Sequence, residues 1–175
     1  MAIFSFSTID MSPTKVVFDT IEEVSDYLDS FEQAEDAIKI AQAFADQQPA
    51  AMAYLMSRAE NLENDEEAEL LLYIGNVIYL SCKKSKEDLA EVSAATIDQA
   101  EDVFLNQMRA IADMSEEDAR AGFGPIFDAQ PDLSTYLVGW IEQLSEDGVD
   151  EESINALYSI LQVLVNAFDM TMNPN

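Results

Sequence analysis

The sequence predicts an all-α protein: one compact helical domain over residues 1–175, with about seven to nine helices built from two similar halves and a short extended arm at the N-terminus. Three observations predict it. Only five Gly and five Pro occur in 175 residues, too few for a turn-rich β protein. Helix-start signals recur along the chain. A pattern of helix entrances and apolar runs also occurs twice.

Taken in order, residues 1–19 hold an alternating piece from Ile3 to Ile9, then Ser12-Pro13 and a β-branched patch at Val16-Val17. These predict a strand or extended arm lying on the helices. From Thr20 onward the signals are helical. Thr20…Glu23, Ser30…Gln33 and Thr96…Gln99 have the form of a capping box, in which a hydroxyl accepts from a free N–H and the acid or amide three residues on reaches back. Ser85…Asp88 and Ser115…Asp118 are looser versions. Pro49 and Pro131 mark helix entrances, where a missing N–H costs nothing. Gly148 reads as a helix stop and Asp150 as the cap of the helix after it. Residues 70–80 and 154–168 are apolar on nearly every face. Such helices must be covered on several sides, so these two are predicted to lie at the centre.

The repeat rests on Gln48-Pro49-x4-Tyr54-Leu55, which lines up with Gln130-Pro131-x4-Tyr136-Leu137. Glu60 then meets Glu142, and Leu62 meets Leu144. After a three-residue insertion, Asp65-Glu66-Glu67 falls on Asp150-Glu151-Glu152 and Leu72-Tyr73 on Leu157-Tyr158. Upstream, Asp46 falls on Asp128, and Thr20-Ile21-Glu22 resembles Thr96-Ile97-Asp98. The halves are thus 20–81 and 96–168, joined by a linker at 83–95, and repeats of this kind stack on each other to bury their faces.

Charge bounds the function. There are 35 acidic residues against 8 basic ones and no histidine, a formal net charge of −27 at pH 7. Mean hydropathy is −0.05, so apolar residues balance the acids and the chain folds rather than staying disordered. Residues 20–81 carry 14 acids and 2 bases, and residues 96–168 carry 15 and 2. The negative charge therefore covers both halves instead of forming a tail. Phosphate contacts need Lys and Arg, which argues against nucleic acid and anionic membrane surfaces as partners. No run reaches the roughly 18–20 apolar residues of a membrane span, and the N-terminus has no basic stretch of the kind that opens a secretion signal. These features predict a cytoplasmic protein.

Without histidine there is no His-dependent triad, no His-containing zinc site and no Glu-x-x-His di-iron site. Cys82 is the single cysteine. The lysines after it, Lys83 and Lys84, favour the thiolate, but it lacks a general base of the usual kind and reads as a small residue at a helix end. Glu32-x-x-Glu35, Glu60-x-x-Glu63 and Glu66-x-x-Glu69 resemble the Glu-x-x-Glu helices of all-α nucleotide pyrophosphatases, and that resemblance implies an Mg²⁺- or Mn²⁺-dependent hydrolase. The partner Glu-x-x-Asp motif with lysines nearby finds no match, and with 35 acids in 175 residues about seven such pairs arise by chance on exposed helix faces. Asp147-Gly148-Val149-Asp150-Glu151-Glu152 fails the EF-hand order, because the first ligand position counts back to Gln143. The same run is similar to a turn in tellurite-resistance TerB-like helical domains, a likeness limited to this turn and implying only a helix-turn-helix. Gly122-Phe123-Gly124-Pro125 lacks the lysine of a phosphate loop and reads as a turn. No catalytic residue, metal ligand or cofactor is assigned.

The helix after Pro131 carries an apolar stripe at Leu133, Tyr136, Leu137, Trp140, Ile141 and Leu144, a pattern that predicts core packing. In the other half Arg58 stands where Trp140 does. An arginine on an apolar stripe either pairs with a carboxylate of the first two helices or faces a partner, and Tyr, Trp and Arg dominate binding hot spots. Arg58 and Trp140, with the acidic turns Asp65, Glu66, Glu67 and Asp150, Glu151, Glu152, are the candidate partner-binding residues. The expected function is a non-enzymatic acidic helical interaction protein, an adaptor, inhibitor or DNA-mimic-like binder of a basic protein, with room for a homodimer because two apolar helices need much cover. The alternatives are an all-α carboxylate-metal hydrolase and a housekeeping protein whose acidity serves only solubility.

Overall fold

A computed structural model describes residues 12–62, 64–121 and 126–174, and for 119–121 the backbone alone. Eight helices and no strand occur among the described residues. They are α1 (Phe18–Asp29), α2 (Ala34–Gln47), α3 (Pro49–Ala59), α4 (Asp65–Ser85), α5 (Ala94–Ala112), α6 (Glu116–Ala121), α7 (Pro131–Glu146) and α8 (Glu151–Met172).

The two apolar runs form α4 and α8, which pack against each other at the centre of the molecule. Residues 161–168 of α8 are buried without interruption. Around this pair the packing has a regular form. α1 lies on α4 as α5 lies on α8, α3 lies on α4 as α7 lies on α8, and α1 touches α7 while α3 touches α5. α2 packs on α3 and α4, and its Phe44 stacks on Tyr79 with ring centroids 4.4 Å apart, next to Phe168. One apolar cluster links these contacts into a single compact domain.

Both Gln-Pro entrances do more than start a helix. Pro49 and Pro131 occupy the first turns of α3 and α7 as predicted, yet the glutamines before them make no side-chain cap. Each instead grips an extended segment ahead of a distant helix. Gln48, 2% exposed, accepts from the Val92 N–H at 2.7 Å and donates to the Ala90 carbonyl at 3.0 Å, just before α5. Gln130, 1% exposed, accepts from the Val16 N–H at 2.8 Å and donates to the Thr14 carbonyl at 2.9 Å, just before α1. Val16 and Val92 are both fully buried. An amide side chain is suited to the task, because one end accepts and the other donates. The described part of the N-terminal arm, from Ser12, is therefore an extended strap held by side chains and not a strand. The alternating piece from Ile3 to Ile9 lies outside the described residues, as does Gly122-Phe123-Gly124-Pro125.

Helix termini confirm some sequence signals and correct others. Ser115 caps α6, accepting from the Asp118 N–H at 3.1 Å, and Asp150 caps α8 through the Ser153 N–H at 2.9 Å. Gly148, at φ +83°, ends α7, with Gly148 N–H bonded to Ser145 and Val149 N–H to Leu144, the left-handed stop that glycine adopts without strain. Thr20 and Thr96, however, sit inside the first turns. α1 begins after Val17 with no side-chain cap, and α5 is capped by Ser93. Ser30 closes α1 instead of opening α2, and Ser85 is the last residue of α4. A hydroxyl in the right spacing can thus lie within a first turn, as Thr20 and Thr96 do, or at the end of a helix, as Ser30 and Ser85 do.

The caps of α4 and α8 line these helices up one residue away from the correspondence read from the sequence. Asn64 accepts from the Glu67 N–H at 2.8 Å and caps α4, the role Asp150 has on α8. Counted from these caps, the buried positions coincide: Leu71 with Leu157, Ile74 with Ile160, Val77 with Val163, Cys82 with Phe168. The match of Asp65-Glu66-Glu67 to Asp150-Glu151-Glu152 aligned letters whose roles differ.

Candidate functional site

Negative charge has little internal compensation. Ion pairs join Lys39 to Asp36, Arg58 to Glu101 and Lys84 to Glu23, and eight basic residues cannot offset 35 acids. Most carboxylates stand on exposed helix faces. Some do local work: Asp65, Glu66 and Glu67 open α4, and Lys83 and Lys84 close it, so both ends complement the helix dipole. The Asp150 carboxyl is held below the ordinary aspartate value by the backbone and side chain of Ser153.

Of the predicted site residues, Arg58 pairs with a carboxylate, but from α5 and not from the first two helices. Its Nη2 lies 2.5 Å from Glu101 Oε1, and its guanidinium carbon sits 5.2 Å from the Tyr54 ring centroid. Burial pushes the Tyr54 hydroxyl up to about 12. α1 and α2 are engaged elsewhere, and the swapped contact of α3 with α5 brings Glu101 to the arginine instead. The Arg58–Glu101 pair lines a cavity of about 600 Å³ between α3, α5 and α8.

Trp140, Glu66 and Glu67 are brought together. They line a cavity of about 400 Å³ with Asn64, Leu144 and Asp147, where the start of α4 meets the end of α7. Trp140 makes T-shaped contacts with Tyr73 and Tyr136, at centroid distances of 6.0 and 6.4 Å. Glu67 is 8% exposed. Its Oε1 accepts from Asn64 Nδ2 at 2.8 Å, and its Oε2 is buried with no partner among the described residues. Asp65, Asp150, Glu151 and Glu152 are exposed and do not line this cavity.

A third cavity, about 530 Å³, is an apolar groove between α5, α7 and α8 lined by Met108, Ile111, Phe127, Val138, Ile141 and Tyr158. Val138 is 45% exposed at its mouth. Glu142, four residues beyond Val138, and Glu151, seven before Tyr158, share these helix faces and are exposed. Composition gave no sign of the groove, because its residues read as ordinary core positions.

Cys82 is fully buried, and burial, with Asp169 nearby, raises its thiol far above the ordinary value. The effect expected from Lys83 and Lys84 is overturned because the side chain points into the core. Among the described residues no group of three or more Cys, Asp or Glu side chains converges to hold a metal ion, and no helix is long and apolar enough to cross a membrane. Neither a protein-family model nor a curated protein nor a solved structure matches the chain.

Proposed function

We propose that this is a non-enzymatic interaction protein that captures a basic protein partner in the cytoplasm through the field of its carboxylates. The observation that carries the reading is a net charge of −27 on a folded helical body with one buried apolar core. Such a surface draws cations over distances longer than a contact and repels nucleic acid. Two copies of the chain repel each other for the same reason, which favours an unlike partner. The apolar groove between α5, α7 and α8, edged by Glu142 and Glu151, would seat the aliphatic side chains that accompany the partner's lysines and arginines. We also propose that the molecule is one four-helix unit used twice, each copy gripping the strap of the other with its Gln-Pro glutamine. That reading rests on the reciprocal Gln48 and Gln130 bonds.

The test is isothermal titration with a panel of small folded basic proteins, with polyglutamate of equal charge as the competitor for each. The reading expects at least one panel member to bind the folded protein more tightly than polyglutamate. It also expects the affinity to fall about tenfold or more from low to high salt, since exposed charges are screened beyond ~8 Å at physiological ionic strength. If every basic protein binds polyglutamate equally well, the folded surface contributes nothing beyond its charge and the interaction-protein reading fails; if binding ignores salt, electrostatic capture is wrong.

A further inference from the structure

Arg58 and Trp140 hold the same place after the two Gln-Pro entrances, but their cavities are built from different elements: α3, α5 and α8 around Arg58, and the start of α4, the end of α7 and the turn into α8 around Trp140. Both residues lie ten positions after the glutamine of a Gln-Pro entrance, and Leu62 lines one cavity where Leu144 lines the other. In the Arg58 cavity a guanidinium is held between an aromatic ring, Tyr54, and a carboxylate, Glu101. The Trp140 cavity has the ring and the carboxylates, Glu66, Glu67 and Asp147, but no lysine or arginine among its lining residues. Glu67 Oε2 is buried there without a partner among the described residues. A buried carboxylate oxygen with nothing to accept from is costly, and a cationic donor relieves that cost. An indole beside it adds cation–π attraction.

We propose that the Trp140 cavity is a receptor for one cationic group, an alkylammonium or guanidinium, bound beside the indole and the Glu67 carboxylate. This rests on the reading above and names the contact: a lysine or arginine side chain of the basic partner enters between Trp140 and Glu67. A free polyamine offers the same chemistry.

Trp140 is the single tryptophan of the chain, so intrinsic emission reports this cavity. The full-length protein is titrated at constant ionic strength with a lysine-rich peptide, the same peptide with its lysines acetylated, and spermidine, and emission and calorimetry are read in parallel. The lysine peptide is expected to change Trp140 emission saturably and the acetylated peptide to leave it unchanged. Glu67→Gln keeps a residue that can still pair with Asn64 and is expected to weaken the response about tenfold, in line with loss of a charge-assisted hydrogen bond. Asp98→Gln, on an exposed position of α5, is expected to leave it intact. Saturation by spermidine but not by the peptide upholds the cation receptor and identifies a free polyamine as the ligand. An equal response to acetylated lysine, or a Glu67→Gln response equal to that of the parent, overturns the receptor. Calorimetric binding of the peptide with silent Trp140 emission overturns the cavity and leaves electrostatic capture standing. No binding by any cationic probe overturns both.

Discussion

Replacing Gln130 by glutamate keeps the shape of the side chain and reverses half of its hydrogen bonding. In the parent, Oε1 accepts from the Val16 N–H at 2.8 Å, while Nε2 donates to the Thr14 carbonyl at 2.9 Å and to Asp169 Oδ1 at 2.8 Å. A glutamate still accepts from Val16, but its second oxygen faces a carbonyl and a carboxylate at a position 1% exposed. Burying that charge is so unfavourable that the side chain takes up a proton instead. Holding a carboxyl neutral at pH 7 against an ordinary glutamate value of about 4.3 costs about 3.7 kcal/mol, and about 1 kcal/mol at about pH 5. The sign follows from linkage. The folded-state value of the introduced carboxyl is raised, so stability is intact below the ordinary value and lost as pH rises.

Gln130→Ala separates charge from contact. It strips the acceptor from the buried Val16 N–H, at about 1–3 kcal/mol. The Thr14 carbonyl and Asp169 keep their bonds from Asn173 Nδ2, at 3.0 and 2.9 Å. Urea unfolding at pH 7 and about pH 5 should show the Gln130→Glu variant losing about 3–4 kcal/mol at the higher pH and regaining most of it at the lower, while the gap between Gln130→Ala and parent stays constant. A Gln130→Glu variant within experimental error of the parent at pH 7, or one whose deficit ignores pH, would show that the strap is not held by the donor half of Gln130.

Other outcomes follow from packing and charge. Gly139 lies within α7 and an added Cβ meets nothing within 4 Å, so Gly139→Ala should raise stability by about 0.5–1 kcal/mol in chemical denaturation. At Gly75 an added Cβ would lie 2.7 Å from Leu55 Cδ1, and Leu55 is fully buried. Overpacking there outweighs the gain in helix propensity, and Gly75→Ala should cost about 1 kcal/mol net. Burial pushes the Tyr54 and Tyr158 hydroxyls up to about 12. The unfolded chain ionises near 10, so stability should be intact below that pH and decline as pH rises toward 12, with phenolate absorbance appearing together with loss of helix. Added salt should raise the urea midpoint in dilute buffer, because the carboxylates repel one another and salt screens them. A midpoint that stays flat or falls would mean that the surface charges are already compensated.

Most of what could be read from the sequence was local. The apolar runs that became α4 and α8, the prolines at the entrances of α3 and α7, and the stop at Gly148 each depend on a few neighbouring residues, and each was placed correctly. The capping boxes at Thr20, Thr96, Ser30 and Ser85 were misread. A hydroxyl spaced correctly for a cap fits equally well within a first or last turn, and at α5 the cap falls instead on Ser93, three residues before Thr96. Across the fold only the outline was legible: the two apolar runs were predicted to lie at the centre, where α4 and α8 meet, but the partners of single side chains were not. Arg58 was expected either to pair with a carboxylate of the first two helices or to face a partner, whereas it pairs with Glu101 of α5, 43 residues away. Trp140 and Glu67 were separate candidates until the start of α4 and the end of α7 brought them to one cavity.

Arg58 and Trp140 stand at the same distance after Gln48 and Gln130, and the difference between their surroundings is informative. α1 lies on α4 as α5 lies on α8, but Glu101 reaches Arg58 from α5 while Glu66 and Glu67 reach the Trp140 cavity from α4, so matching positions have unlike neighbours and unlike chemistry. At Arg58 cation and carboxylate come from the same chain and the pair is already satisfied. At Trp140 the aromatic ring and the carboxylates are present and the cation is absent. A body with 35 acids and 8 bases attracts cations everywhere but orients none of them, because exposed ion pairs are individually weak. Specific capture needs a point where desolvation makes one contact count for more than the surrounding field. Glu67 Oε2, buried and without a partner among the described residues, satisfies that physical requirement, whereas Glu101 already has its cation in Arg58.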